Sequence, residues 1–212
     1  MHSFKRAVHK HIQDNSSLYA FVTVLFLMGV IFGAVVVNSL SFAQKEDLYT
    51  YLSRFFMQAL DGSFAERSEI FQQGFSHYIK YIMLIWLLGL SVIGLPIILV
   101  LLFLKGVVVG FTVGFLINQM SWHGFLLSFV AVLPQNILLI PAFVFITAAS
   151  VSFSIRIIMQ LAGKRTSVPF LHQLFSYTFV VTAAGIIVLA GVSLEALLSP
   201  PLIKQVIQWS TS

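Results

Sequence analysis

Chemistry in a chain without cysteine falls to histidine, carboxylates, hydroxyls and amides. This one has no cysteine, six histidines and seven acidic residues in 212 positions. The lack of cysteine removes disulfides, thiolate metal sites and cysteine nucleophiles together. His2, His9, His11, His77, His123 and His172 all fall in terminal or interfacial stretches. His9 and His11, two apart, cannot face one ion from a helix. There is no HExxH pair, no GxSxG turn, no Walker loop, and no pair of acids sharing a helix with a histidine. The expectation is a protein that is not an enzyme, uses no cofactor and holds no metal.

Two constellations of another kind remain. Gly106, Gly110 and Gly114 recur every four residues, so they share one helix face, and small residues in such a ladder let a neighbouring backbone approach closely in lipid. Gly29 and Gly33 form a second, single pair. Internal packing of a helix bundle is the plainer reading of these glycines; a partner helix is the sharper one, and homo-oligomerisation stays open. Pro134, Gln135 and Asn136, with Pro141 seven residues after the first proline, set polar side chains beside a broken hydrogen-bond ladder. At membrane depth such backbone survives only inside protein or along a wet cavity. The amides either meet the carbonyls that the proline frees or line a transport path.

The elements that position these residues are membrane helices. Hydrophobic residues make up 58% of the chain and charged residues 9%, against roughly 25% charged in soluble domains. Too few charges remain to coat a water-facing surface, so lipid must solvate much of the molecule. The net charge of +5 is spread between apolar runs, as topology signals are, with no basic cluster interleaved with aromatics for nucleic acid. Residues 18–40 run without a charge and span about 35 Å as a helix, enough for one crossing. Lys5, Arg6 and Lys10 before them and Ser41-Phe42-Ala43 after them look like a secretory signal. The apolar stretch is longer than the roughly 7–15 residues of a signal core, so a retained helix is expected.

Further crossings are expected at residues 81–104, 106–118, 124–155 and 174–198. The third is short, and the fourth, with Pro134 and Pro141 inside it, is kinked. Residues 41–77 form the one long polar connection. In it Leu48, Tyr51, Leu52, Phe55, Phe56 and Ala59 keep helical spacing, and Ser63-Phe64-Ala65-Glu66 matches a capping box. Two amphipathic helices are expected there, the second open to running on into the next apolar run; their aromatics either pack on the bundle or, with Phe55 and Phe56 as candidate residues, dock a partner. The tail after Pro200-Pro201 is expected to form a short surface helix ending at Trp209. Lys105, Arg156, Lys164 and Arg165 mark connections on the same side as the basic tail of residues 1–17, which puts the N-terminus in the cytoplasm. A four-crossing arrangement would bury Lys105 at mid-membrane, at about 2.5–3.5 kcal/mol. The sequence therefore reads as one all-α, five-helix membrane domain.

The stretch from Ser17-Leu18-Tyr19-Ala20-Phe21 through Gly29-Val30-Ile31-Phe32-Gly33 to Val37-Asn38-Ser39, with Leu133-Pro134-Gln135-Asn136 and Ile140-Pro141-Ala142, resembles the stage II sporulation protein M family. The resemblance covers nearly the whole chain. The wider membrane family tends to show Pro-His-Gly followed by Glu, where this chain has Gln135, Asn136 and Leu139, so no role of a buried acid carries over. What the resemblance implies is a multi-pass protein of the cell membrane and septum in endospore formers. It would anchor two peptidoglycan-degrading partners, stage II sporulation proteins D and P, while the mother cell engulfs the forespore. The alternative from the residues alone is a permease-like subunit working with a separate ATPase. An intramembrane hydrolase, lacking any nucleophile and base, comes last.

Overall fold

A computed structural model describes residues 15–60, 67–163 and 169–211, and all of its regular structure there is helical. Among the described residues six helices follow one another: α1 Ser16–Ser39, α2 Phe42–Leu60, α3 Arg67–Gly89, α4 Gly94–Ala131, α5 Leu133–Leu161 and α6 Phe170–Thr211. Among the described residues four stretches are long and apolar enough to cross a membrane: Ser16–Ser39, Gly94–Trp122, Asn136–Leu161 and Phe170–Leu194.

Local chemistry sets the boundaries. The Asn15 carbonyl accepts the first amides of α1, from Leu18 at 2.9 Å and Tyr19 at 3.1 Å. The helix ends where Leu40 turns extended, at ψ 137°. Ser41 and Gln44 then form a reciprocal capping box: the Ser41 amide donates to Gln44 Oε1 at 2.9 Å, and the Gln44 amide to Ser41 Oγ at 3.3 Å. The Ser-Phe-Ala-Gln sequence that looks like a cleavage site is thus the start of α2. Ser63–Glu66, the capping box read from the sequence, lies outside the described residues.

Contacts fix the directions. α1 and α4 run parallel, with Gly29 against Phe103 and Val107 and Ala34 against Gly114. α3 is antiparallel to α4: the Tyr81 hydroxyl donates to the Leu101 carbonyl at 2.8 Å, about two turns above the short connection between the two helices. α6 is antiparallel to α3, from Trp86 beside Thr178 to Gly74 beside Val192. It is antiparallel to α5 as well, from Tyr177 beside Ser150 to Gly191 beside Leu139. So α1, α4 and α6 point one way, and α3 and α5 the other.

Val22, Phe26, Ile85, Ile98, Leu102, Leu139, Phe143, Ile146 and Val188 fill the centre of this five-helix bundle. Outside it stand Phe21, Met28, Ile31, Phe32, Ile186 and Phe179, each more than half exposed, a belt of apolar surface that only lipid can cover. α2 packs against α6 at the side.

Several boundaries differ from the sequence reading. Lys105 is not in a connection; it lies inside α4, and the chain turns instead at residues 90–93. Residues 81–104 and 106–118 are therefore not two crossings. The helix that begins at Arg67 continues through His77 to Gly89. Pro96 falls in the first turn of α4, where its missing amide costs nothing. α4 is broken at Ser121, with φ 53° and ψ −122°, and doubles back so tightly that a Cβ on Gly124 would strike the Leu116 carbonyl. Arg156 lies within α5 and not after it, while Lys164 and Arg165 are outside the described residues. The tail is not a separate helix: α6 continues through Pro200 and Pro201 to Thr211.

Candidate functional site: the helix seams and the polar end of the bundle

Glycine builds the tightest seam. A Cβ on Gly106 would run into the Phe26 carbonyl, one on Gly110 into Val30, and one on Gly33 into Val107. At Gly114 the added carbon would sit 3.1 Å from the Ala34 Cα. Ladder and pair therefore face each other, and the α1 and α4 backbones meet over three turns, which is how dispersion holds helices together in lipid. Asn118 and Asn38, 3.5 Å apart, close the far end of the seam. The glycine face is occupied from within the chain.

Lys105 follows directly before that ladder, on the other side of α4. Its ammonium lies 4.8 Å from the Tyr78 ring centroid and 5.3 Å from that of Phe143. Tyr81 meets Phe143 edge-on at 5.2 Å. α3 and α5 thus supply aromatic faces for a cation held midway along α4, an arrangement worth about 2 kcal/mol or more where water is excluded. That attraction offsets the burial cost which, in the sequence reading, argued for a connection at this point.

At Pro134 the structure shows a turn, not a kink inside a helix. α5 starts at Leu133, so Pro134 and Asn136 belong to its first turn, and Pro141 lies within the helix. The Asn136 side-chain amide donates to the Val132 carbonyl at 2.7 Å. Nearby Ser128 donates to the Gly124 carbonyl at 2.7 Å. A cavity of about 210 Å³ adjoins both, lined by Val109, Phe125, Phe129 and Ile140. Its polar groups are thus spent on their own backbone. A second recess, of about 400 Å³ between α3 and α6, is lined by Met83, Trp86, Thr182, Gly185 and Ile186 among others, without a titratable group.

The polar centre that the sequence does not announce lies where α3 ends. The Tyr177 hydroxyl donates to the Trp86 carbonyl at 3.1 Å and sits 2.9 Å from Ser150 Oγ. Ser154 donates to the Gly89 carbonyl at 2.8 Å. These hydroxyls satisfy carbonyls left open at the α3 terminus. Gly89 is required here, because a Cβ would occupy the place of the Tyr177 hydroxyl. Tyr177 also stacks on Phe153, centroids 4.5 Å apart and planes 7° from parallel. Serine at 150, 152 and 154 with Thr147, all buried, is the sequence signal that could have marked this face. Ser152 donates to Asn15 at 3.1 Å, tying the start of α1 to the same end. No base stands beside these hydroxyls, and among the described residues no three His, Asp or Glu gather to hold a metal.

Phe55 and Phe56 lie on α2, where Phe42 is 83% and Tyr51 71% exposed.

No curated protein and no solved structure matches the chain significantly. The family model for Stage II sporulation protein M matches residues 22–200. This interval runs from within α1 almost to the end of the bundle and takes in the glycine seam, the Lys105 seat and the Tyr177 centre. The chain is a sporulation-related membrane protein, and it belongs to the stage II sporulation protein M family.

Proposed function

We propose that this protein is a non-catalytic membrane anchor that gathers peptidoglycan-degrading partners, stage II sporulation proteins D and P, at the septum during engulfment. The family match carries the reading. The geometry agrees with it: the glycine face is filled internally, Ser150, Ser154 and Tyr177 give their hydroxyls to backbone carbonyls, and α2 is left with exposed aromatics. A helix of this kind suits docking of another protein, since aromatic side chains are enriched at the centres of interfaces.

In this reading the chain passes the membrane five times, α3 making the second pass, with the N-terminus in the cytoplasm and α2 outside. Charge supports the orientation. The sequence before α1, the last turns of α5 and the connection to α6 contain Lys5, Arg6, Lys10, Arg156, Lys164 and Arg165 against Asp14 alone. The sequence from α2 to the start of α3 and the end of α6 contain Lys45, Arg54, Arg67 and Lys204 against Glu46, Asp47, Asp61, Glu66, Glu69 and Glu195. Six basic residues to one acid, against four to six, is the asymmetry of a cytoplasmic and an outer face.

Replacing Phe55 and Phe56 together by Asp tests the docking helix. The expected outcome is normal abundance of the anchor with loss of septal localisation of the partners, read by fluorescence of tagged partners. Unchanged localisation beside an abundant double variant would exclude α2 as the docking face.

A further inference from the structure

Within the bundle α3 is the polar helix. It carries Gln72, Gln73, Ser76, His77 and Lys80, and among the described residues it is the bundle helix that is not one of the four stretches apolar enough to cross a membrane. It packs against two such stretches, with Tyr81 bonded to Leu101 of α4 and Gly74 against Val192 of α6. Tyr78, Tyr81, Ile82 and Ile85 turn into the core. His77, Lys80, Leu84 and Leu87, three and four residues apart, stand exposed on one outer face. We propose that this face docks a membrane-spanning helix of another protein, one that carries a carboxylate at mid-depth opposite Lys80.

Depth and charge select that partner, on the reading above in which α3 crosses the membrane. From Lys80 to the end of α3 at Gly89 the helix rises about 14 Å, and from His77 about 18 Å. In a hydrocarbon core of about 30 Å that is the middle, too deep for the lysine to reach headgroups as those near helix ends do. A charge at that depth faces protein or water and pairs with a group of opposite sign. This chain has no acid to offer there. Its seven acidic residues lie before α1, on α2, between α2 and α3, in the first turn of α3 and just past the apolar stretch of α6. A second copy would bring the same cation and again no acid, so the carboxylate comes from a different chain.

The groove beside this face supplies the seat. Met83, one turn on from Lys80, and Trp86 belong to its α3 wall, and Thr178, Thr182 and Gly185 to its α6 wall, around about 400 Å³. Trp86 Nε1 donates to Thr178 Oγ1 at 3.2 Å, and the Thr182 hydroxyl to the Thr178 carbonyl at 2.8 Å. These groups serve one another, which leaves the groove to apolar side chains. Thr178, Thr182 and Gly185 are small and share one side of α6, where a second backbone can come close. The nearest atom to a Cβ added at Gly185 is Ile82 Cδ1, at 3.9 Å. A helix is the form a partner chain takes here, because in lipid its backbone must bond itself. An acyl chain could fill the groove but brings no carboxylate to Lys80.

The test uses the full-length protein in phosphatidylcholine–phosphatidylglycerol vesicles with labelled synthetic spanning helices of leucine and alanine. These carry Glu at the centre, Glu near one end, or no acid, and energy transfer from the protein reads binding. The helix with central Glu is expected to bind the wild type about tenfold tighter than the other two, the order of one charge-assisted hydrogen bond. Lys80→Met should remove that preference and Lys80→Arg keep it. Gly185→Leu, which fills the groove, should weaken all three helices. Thermal unfolding should match the wild type in each variant, since Lys80 is exposed and Gly185 has room. Equal binding of the three helices, or a preference unchanged in Lys80→Met, would overturn the proposal. Energy transfer between two labelled copies of the wild type that Lys80→Met abolishes would make the face a contact between copies and overturn it too. Lys80→Cys separates this inference from the five-pass reading. Resistance to an impermeant thiol reagent without any helix preference refutes the docking face alone, whereas ready labelling refutes the crossing of α3 as well.

Discussion

Gly110 stands with its α-carbon against the Val30 backbone, whereas a Cβ on Gly185 would lie 3.9 Å from Ile82 Cδ1. The two glycines should therefore answer the same substitution differently. Gly110→Ala forces the α1 and α4 backbones apart and is expected to cost about 1–3 kcal/mol, in the range of overpacked cores. Gly185→Ala meets only ordinary contact and should be neutral. Thermal unfolding in one detergent checks both, and equal effects would show that the seam is looser than described.

The sequence displays the ladder by its spacing. It does not say what lies opposite, because period four defines a face but not its neighbour. Tyr177 was harder to read. A single tyrosine in an apolar run is ordinary, and only the fold brings it to Ser150, Trp86 and Gly89. Tyr177→Phe removes its hydrogen bonds, and about 0.6–1.7 kcal/mol of stability should go with them, the range found for such bonds in membrane helices.

α4 shows at the scale of an element why charge misled the division of the chain. A lysine within an apolar run normally marks an end, because burying it is costly. Here aromatic faces from α3 and α5 receive it, and those partners are 27 residues before it and 38 after, beyond the reach of any local pattern. The same holds for the break at Ser121, which no glycine or proline announces.

Cysteines added singly to this cysteine-free chain separate the two divisions. Ser91→Cys, in the exposed turn before α4, should react with an impermeant thiol reagent only after permeabilisation, and Lys105→Cys should resist from either side. Rapid labelling at 105 after permeabilisation would restore a connection there. α2 offers a test of its own: Ser41→Ala deletes the reciprocal cap and should cost the helix about 1 kcal/mol. Faster hydrogen exchange confined to the first turn of α2 is the expected sign. Unaltered exchange would mean that packing on α6 alone holds the helix.

Across the whole molecule, an all-helical membrane protein of this family was legible from composition, the apolar runs and the residues of the first helix. Which helices lie side by side was not, because lipid-facing and core-facing residues are equally apolar and periodicity cannot separate them. Once assembled, the bundle spends its unusual residues on itself: glycines on the α1–α4 seam, Lys105 on two aromatic rings, serines and Tyr177 on open carbonyls. What it presents to the outside is lipid-facing surface and α2, and this is the basis for reading it as an anchor.

Purification of the full-length protein under mild detergent from sporulating cells, with the co-purifying chains identified by mass spectrometry, addresses that claim most directly. The account predicts that stage II sporulation proteins D and P accompany the wild type in comparable amounts and are depleted at least tenfold from the Phe55→Asp, Phe56→Asp double variant at equal recovery of the anchor. Recovery of a folded, abundant protein without either hydrolase, and with an ATPase in their place, would contradict it.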